Sequence, residues 1–546
     1  MKKGKKMLLY LAGILAALTA VFIYYYITLP AINIHSSGFW FFMLGLVAVG
    51  ALLYSVCKVK KEMKTSGSVS LSWKELKGLK FFAALFVLIL AVYLIGSLLS
   101  SPIINARRYQ QLLNVQERQF TEDIKEVDYN TIPLLDKESA SLLGDRKMGS
   151  LVEMVSQFEV ADDYTQINYQ GKPVRVTPLE YASTIKWLTN QRNGLPGYVM
   201  IDMTTQDTEI VMLDEGIKYS KSEYFNRNLY RHLRFNYPTY IFDDQLFFEI
   251  DEEGTPYWVC PVKKFNIGLF GGQTVGRVVL CNAVTGACID YAVEDVPQWI
   301  DKVYSAELLM ELYDYHGVLV NGFLNSVLGQ RDCLVTTTGY NYIALDDDVW
   351  VYTGLTSVNG DQSNVGFVLM NQRTMEARYY KVEGATETSA MSSAEGQVQN
   401  LNYKATFPLL LNISGEPTYF VALKDGAGLV KKYAMINIQK YQWVAIGDTV
   451  KECEKNYNEL LSTNGIVSEK AGESKTVSGV IEVIAPVVLE GNTHYYICLE
   501  GKEEIFDADL SEENLYSVVR LKEGDRIVLT YEAGYSLQRV ESFEVK

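Results

Sequence analysis

Residues 81–99 read FFAALFVLILAVYLIGSLL, an apolar run without a single Asp, Glu, Lys, Arg or His. A helix rises ~1.5 Å per residue, so such a run can cross a hydrocarbon core of ~30 Å. Two earlier runs have the same character: Met7–Leu29 (MLLYLAGILAALTAVFIYYYITL) and Phe39–Cys57 (FWFFMLGLVAVGALLYSVC). The rest of the chain, residues 101–546, is mostly polar. The pattern predicts three transmembrane helices followed by one large region on a single side of a plasma membrane. None of the runs carries the ionisable groups that mark ion or proton pathways, which favours an anchor over a pore.

Lysine placement predicts the side. Lys and Arg in short flanking loops resist translocation. The N-terminus carries Lys2, Lys3, Lys5 and Lys6, and the loop Pro30–Gly38 carries no Lys or Arg. The next loop holds Lys58, Lys60, Lys61, Lys64, Lys74 and Lys77. The alternation reads in, out, in, which puts the N-terminus in the cytoplasm and everything beyond Ser101 outside. Aromatic residues at Tyr24–Tyr26 and Phe39–Phe42 fit the outer interface, and Trp73 fits the inner one.

Charge narrows the partners. Residues 1–80 carry a net +9 while the whole chain is −15, so the outer region holds −24. Nucleic-acid affinity rests on neutralising phosphates with Lys and Arg, so nucleic acid is excluded as a partner of that region. The expected partners are the plasma membrane and envelope or membrane proteins. Of seven cysteines, only Cys281 and Cys288 look paired. They flank a turn in LCNAVTGACI, and a four-residue loop would set them opposite one another across a hairpin, as a disulfide or as two buried thiols. No C-x-x-C or Cys/His zinc spacing occurs, so no metal and no cofactor is expected.

Along the outer region, Arg107–Val127 reads as a polar helix leaving the membrane, followed by a linker. Short helices and hairpins then alternate. Helices are expected at Pro178–Asn190, Ser222–Arg234 and, capped by Thr386, through Asn400. Strands are expected at Gly197–Asp202, Glu209–Leu213, Thr239–Phe242, Leu246–Asp251, Tyr257–Val262, Arg277–Asn282 and Ala287–Ala292. Further strands follow at Gly366–Met370, Ala377–Val382, Ala405–Asn412, Thr418–Lys424 and Leu429–Ile438. Such a mixture argues for α+β modules. The hairpins VVLCNAVTGACIDYAV and FVLMNQRTMEARYYKV share Asn, a Thr three positions on, and a Tyr-bearing second strand. After a polar linker, Thr476–Lys546 shows five strands with a helix after the third, the order of an OB-like barrel. Its six basic against fourteen acidic residues suit protein contact or a structural role.

A helix followed by a small antiparallel sheet with a V-x-x-N-A-x-T-G-type hairpin resembles the PepSY module of bacterial envelope proteins. Asn282, Ala283, Thr285 and Gly286 carry the resemblance, with Asn282 where the family has Asp, and Met375 at the Gly286 position of the second hairpin. It covers 60–70 residues at a time and implies a non-catalytic binding or regulatory module, associated in that family with restraint of peptidases. The layout also resembles three-spanning Gram-positive membrane proteins.

Catalytic constellations are sparse. There is no G-x-S-x-G and no H-E-x-x-H. Ser55–Lys58 and Ser183–Lys186 match S-x-x-K without its companion motifs. His35, His232, His316 and His494 have no partners in sequence, and His232 in RHLR reads as part of a solvated face. The acidic groups Asp243–Asp244, Glu249–Glu253 and Asp346–Asp348 could pair as glycosidase carboxylates, but each falls at a turn. GLFGGQTVG (Gly268–Gly276) reads as a loop. In TPYWVCPV, Pro256, Trp258 and Pro261 suit an edge strand open to a partner.

The expected fold is therefore α+β extracytoplasmic modules on three N-terminal transmembrane helices, with a C-terminal OB-like β-barrel. The expected boundaries are 1–100 anchor, 101–173 stalk and linker, 174–300 and 301–462 α+β regions, 463–475 linker and 476–546 barrel. The expected function is non-catalytic binding or regulation at the bacterial envelope. An envelope hydrolase using paired carboxylates and an accessory subunit of a transport or secretion complex are the alternatives.

Overall fold

The computed structural model describes residues 2–66, 77–125, 132–345, 347–358, 363–464, 474–489, 492–502, 504–510, 513–532 and 537–546. Trp73, Lys74, Val127, Asp346, Ser511 and most of the linker at 463–475 lie outside the described residues. By internal packing the chain forms two compact units: Met1–Asn412 with Pro417–Cys453, and Ile413–Glu416 with Glu454–Lys546.

Three helices open the chain: α1 (Lys2–Thr28), α2 (Ser37–Ser66) and α3 (Lys77–Leu99). Ser37–Val59 and Gly78–Leu99 are long and apolar enough to cross a membrane, and Gly13–Thr28 is a shorter apolar stretch. The core helix of a soluble protein hides its apolar face. Here only 11% and 6% of the two long windows are buried, and Val87, Leu88, Ile95 and Leu98 stay mostly exposed. That exposure suits lipid rather than water.

Beyond the membrane helices, the predicted helix at Arg107–Val127 is instead a short helix, Pro102–Gln110, then a strand, Val115–Arg118, that pairs in parallel with Ala377–Tyr380. A first antiparallel sheet follows, built from Phe158–Val160, Thr165–Tyr169, Lys172–Tyr181, Leu195–Asp202 and Thr208–Ile217. The predicted helix at Pro178–Asn190 splits here. Residues up to Tyr181 complete a strand, because Val176, Thr177 and Leu179 are all buried whichever face they take. Only Thr184–Asn190 is helical, capped by Ser183, whose hydroxyl accepts from Lys186 N.

Next comes α4 (Leu229–Asn236), capped by the Asn228 side chain and ended by Tyr237–Pro238. It leads into the second sheet, ordered β1 (Phe247–Ile250), β2 (Pro256–Ile267), β3 (Gly271–Asn282) and β4 (Cys288–Ala292). The predicted strand Thr239–Phe242 is only a turn with one bridge, Phe242 to Val262. Both faces of this sheet are covered. Phe248, Trp258, Cys260, Val279 and Cys281 pack with Val176, Tyr198 and Ile201 of the first sheet. Val259, Val278 and Leu280 pack with Leu309 and Leu312 of the helix Ala306–Val318 and with Val351 and Val368 of a third sheet. Two covered faces explain why VVLC and YWVC are apolar throughout instead of alternating.

The third and fourth sheets repeat one plan. The third has six strands, in the order Val115–Arg118, Ala377–Tyr380, Gly366–Asn371, Asp348–Ser357, Leu334–Thr336, with Asn341–Leu345 also paired to Asp348–Ser357. The fourth has five, in the order Lys404–Ala405, Glu416–Lys424, Val430–Asn437, Val444–Gly447, with Leu409–Ile413 also paired to Glu416–Lys424. Helices Ala306–Val318 and Glu387–Gln397 precede them, as α4 precedes the second sheet and Lys137–Gly149 the first. One turn also recurs. In Asp202–Asp207, Asn282–Ala287 and Asn371–Glu376, the first side chain accepts from the N–H groups two and three residues on. The fifth residue of each, Gln206, Gly286 or Met375, has φ between +63° and +76° and donates its N–H to the first residue's carbonyl.

In the second unit, Ser474–Leu489, Asn492–Leu499, Ile505–Asp509, Arg526–Glu532 and Leu537–Val545 form a closed five-stranded barrel. The order around it is one, two, three, five, four, with strands three and five parallel. The 3₁₀ helix Glu513–Arg520 lies between strands three and four, and Ile497, Phe506, Leu515, Ile527 and Leu529 fill the interior.

The second sheet is also the joint to the membrane helices. The β2–β3 tip, read from sequence as a free glycine loop, sits on the end of α3, where Ser100 Oγ accepts from Leu269 N (2.8 Å) and Phe270 N (3.2 Å). A Cβ on Gly271 would come within 2.2 Å of Ser100 O, so glycine permits the approach. The Leu269 carbonyl lies 2.8 Å from His35 Nδ1 in the α1–α2 loop, and Phe270 packs on Trp40 of α2 and Tyr93 of α3. From the other side, Arg234 Nε donates to Leu29 O (3.0 Å), Arg231 lies over the Tyr26 ring, and Phe235 packs on Phe22, Tyr25 and Tyr26.

Candidate functional site

The hairpin β3–β4 places Cys281 directly opposite Cys288. In the neighbouring rung Asn282 N donates to Ala287 O (2.9 Å), so the two cysteines hold a non-hydrogen-bonded position. Strands approach most closely at such pairs, with Cα atoms ~4.5 Å apart. Both residues are free thiols; Cys281 is fully buried and Cys288 partly exposed.

The third member comes from α4. Helical periodicity gives α4 three faces. Leu229 and Leu233 point into the core, Arg231, Arg234 and Phe235 meet α1, and His232 with Asn236 faces the hairpin. The two sulfurs and an imidazole nitrogen all lie within 4.8 Å of one another. His232 Nε2 is 2.7 Å from Gly286 O, and its ring leans on Tyr219 at 4.4 Å between centroids. Gly286 is needed twice over: its φ is +76°, and a Cβ there would come within 2.3 Å of the Tyr219 ring.

The three groups divide charge unequally. The hydrogen bond from Cys281, against the opposing effect of burial, and then the contact with His232 pull the Cys288 thiol well below its ordinary range. The same hydrogen bond and burial push Cys281 strongly up. Burial alone would lower His232, but its hydrogen bonds to Cys288 and to the Gly286 carbonyl outweigh it and raise the imidazole. The arrangement favours a thiolate at the partly exposed Cys288 over one at the buried Cys281, with the imidazole alongside. Such a thiolate is a nucleophile, and the buried thiol stands where it can displace whatever the first one captures.

Soft donors of this kind also attract thiophilic metals. Among the described residues, however, no fourth His, Cys, Asp or Glu donor joins the group, and His232 Nε2 is already engaged with Gly286 O. A closed structural zinc site takes four ligands. Nothing in RHLR distinguishes His232 from a solvated histidine; the one available signal was the Leu229–Leu233 spacing, which turns His232 away from solvent-facing neighbours and toward the hairpin.

The other predicted groups are placed as follows. β2 is paired on both sides, by β1 and β3, so Pro256, Trp258 and Pro261 do not form an open edge. The prolines are tolerated because Pro256 opens β2 and Pro261 lies past the last β1 pair, Phe247 with Val259. Trp258 is fully buried and donates from Nε1 to Tyr219 O at 3.0 Å. Most carboxylates are committed to turns or ion pairs, while Glu249 and Asp348 both lie near enough to the buried Asp301 to push its carboxyl up further after burial itself. Asp244 pairs with Lys263, Asp251 accepts from Glu253 N and Thr255 N, and Asp348 forms a two-pronged pair with Arg373. Asp347 accepts from Asn168 Nδ2, and Glu249 is buried, accepting from the Asp301 and Lys302 N–H groups. Ser183 of the S-x-x-K match is a helix cap, and Ser55 donates to Ala51 O within α2. His316 meets Gln110 O, and His494 is buried beside Asp507. No protein-family model matches this chain, and no curated protein sequence does either.

Proposed function

We propose that this chain is a membrane-anchored binding or regulatory protein of the bacterial envelope, with α1 as a third span and the sheets outside the plasma membrane. The observation that carries this reading is the joint: the tip of the second sheet is fastened to the α1–α2 loop, α2 and α3, and the neighbouring helix α4 to the end of α1. Such a layout holds a surface in a fixed pose toward membrane neighbours. The lysine alternation supports the outward placement.

PepSY-like character is supported by a helix preceding each small antiparallel hairpin set and by a turn that occurs three times, once with the Asp the family has, at Asp202. We accordingly divide the α+β part into four modules, about residues 137–217, 229–292, 306–380 and 387–447, in place of two longer regions. The barrel's strand order and the helix between its third and fourth strands support an OB-like role as a protein-contact cap.

Photo-crosslinking from Ser150 and other exposed module positions in intact cells, followed by mass spectrometry, tests the reading. Discrete membrane or envelope proteins should be recovered. Peptide or peptidoglycan hydrolysis by the purified chain, lost on substituting Asp244 or Asp251, would overturn it in favour of a hydrolase. An impermeant maleimide should label Ser150→Cys before lysis; labelling only after lysis reverses the topology.

A further inference from the structure

We infer that Cys281 and Cys288 are a redox-active dithiol that exchanges with external disulfides, with Cys288 as the attacking sulfur, Cys281 as the resolving sulfur and His232 as the positioning residue. The inference stands on geometry. The two residues hold a non-hydrogen-bonded cross-strand pair, the backbone position whose ~4.5 Å Cα separation falls within the range a disulfide spans. The sulfurs are no more than 4.8 Å apart, so closure needs side-chain rotation and a small approach of the strands. Exposure is graded in the order the chemistry needs, Cys288 partly open and Cys281 sealed. Cys260, on the same core face, is excluded, because it is fully buried and faces Val279 across the sheet instead of a cysteine.

The reaction balances with a disulfide R–S–S–R′ as the oxidant. The Cys288 thiolate attacks one sulfur, forming Cys288–S–S–R and expelling R′S⁻, which takes up a proton. Cys281, losing its proton to solvent or to the departing thiolate, then attacks the Cys288 sulfur and expels RS⁻. The net change is two protein thiols and one external disulfide converted into the Cys281–Cys288 disulfide and two external thiols; two electrons leave the protein. His232, within 4.8 Å of the sulfur, adds to the hydrogen bond from Cys281 in favouring the ionised Cys288 for the first step, and the Gly286 carbonyl holds the ring in place.

The test uses the full-length protein in detergent micelles, so its outcome does not depend on which side of the membrane the domain faces. After equilibration in reduced and oxidised glutathione, free thiols are alkylated and peptides identified by mass spectrometry. The wild type should interconvert between dithiol and Cys281–Cys288 disulfide, with Cys288 alkylated before Cys281. Cys281→Ser should accumulate a stable Cys288–glutathione adduct, which the wild type resolves. His232→Gln should slow Cys288 alkylation at pH 6 by roughly tenfold, and much less at pH 8, where a free thiol ionises on its own. A merely structural histidine would not give that pH-dependent difference. Cys288 remaining unmodified in oxidised glutathione, a glutathione adduct that persists in the wild type, or stoichiometric zinc that blocks alkylation until chelated would each overturn the inference. Circular dichroism of each variant separates loss of fold from loss of exchange.

Discussion

Asp136, partly buried, and Glu249, fully buried, show how two carboxylates can push stability in opposite directions with pH. Asp136 caps the helix Lys137–Gly149 through Ser139 N (2.8 Å) and pairs with Lys424 (2.6 Å). Burial would raise its carboxyl, but the hydrogen bonds from Lys424 and Ser139 outweigh it and hold it below the ordinary value. A lowered folded-state value means stabilisation that is present above the unfolded value of ~3.9 and lost as pH falls through the folded one. Asp136→Ala should therefore cost ~1–3 kcal/mol at pH 7 in denaturant unfolding, a difference that vanishes in strong acid. Glu249 runs the other way, because burial outweighs its two N–H donors and Lys302 and lifts it to about 7, and the neighbouring buried Asp301 is raised along with it. Its contribution is present below the unfolded value of ~4.3 and lost as pH rises through 7. Glu249→Gln should flatten the fall in melting temperature between pH 4.5 and 7; an unchanged slope would assign that fall to another group. Sequence could not separate these two acids. DEEG beside Glu249 reads as a turn, and the partners that bury it, Asp301 N and Lys302 N, are contributed by chain some fifty residues away.

At the scale of elements, the thrice-used turn offers a direct comparison. Its fifth residue must adopt positive φ, which glycine does without strain and other residues at a cost of ~1 kcal/mol. Gln206→Gly should therefore raise stability by about 0.5–1 kcal/mol, while Gly286→Ala should lower it by more, since its Cβ would also strike Tyr219. Thermal melts of the two variants check both signs. This turn was half legible beforehand: Asn-x-x-Thr repeats at Asn282 and Asn371, and DMTTQD keeps the Thr three positions on, at Thr205, but with Asp202 in place of Asn, so the hydrogen bonds were needed to show that all three are one turn. Hairpins with their turns inside them, such as Gly197–Leu213 and Gly366–Val382, were readable because their alternation and glycines are local signals. Lys172–Tyr181 and Val115–Arg118 were not. The first is buried on consecutive residues, which erases the strand period, and the second becomes a strand only because Ala377–Tyr380 offers it an edge more than 250 residues later.

For the molecule as a whole, the joint predicts cooperative behaviour of membrane helices and second sheet. Arg234→Ala removes the donor to Leu29 O and to Tyr240 O, and hydrogen exchange should rise across Leu29–Ser36 and Pro238–Phe242 together while the barrel's Ile497 and Leu529 keep their protection. Protection lost at only one of the two segments would mean they are not coupled through this side chain. The apolar runs were plain in sequence, yet their fastening was not, since GLFGG carries no sign of the Ser100 it rests on. The three faces of α4 have a mechanical meaning as well. His232 is one residue from Arg231 and two from Arg234, on a helix of little more than two turns. Such a short rod cannot follow a displaced hairpin without moving its other faces, so a shift at the Gly286 turn bears on the contacts of Arg231, Arg234 and Phe235 with α1. An event confined to a few atoms at that turn would then reach the first helix of the chain as a twist.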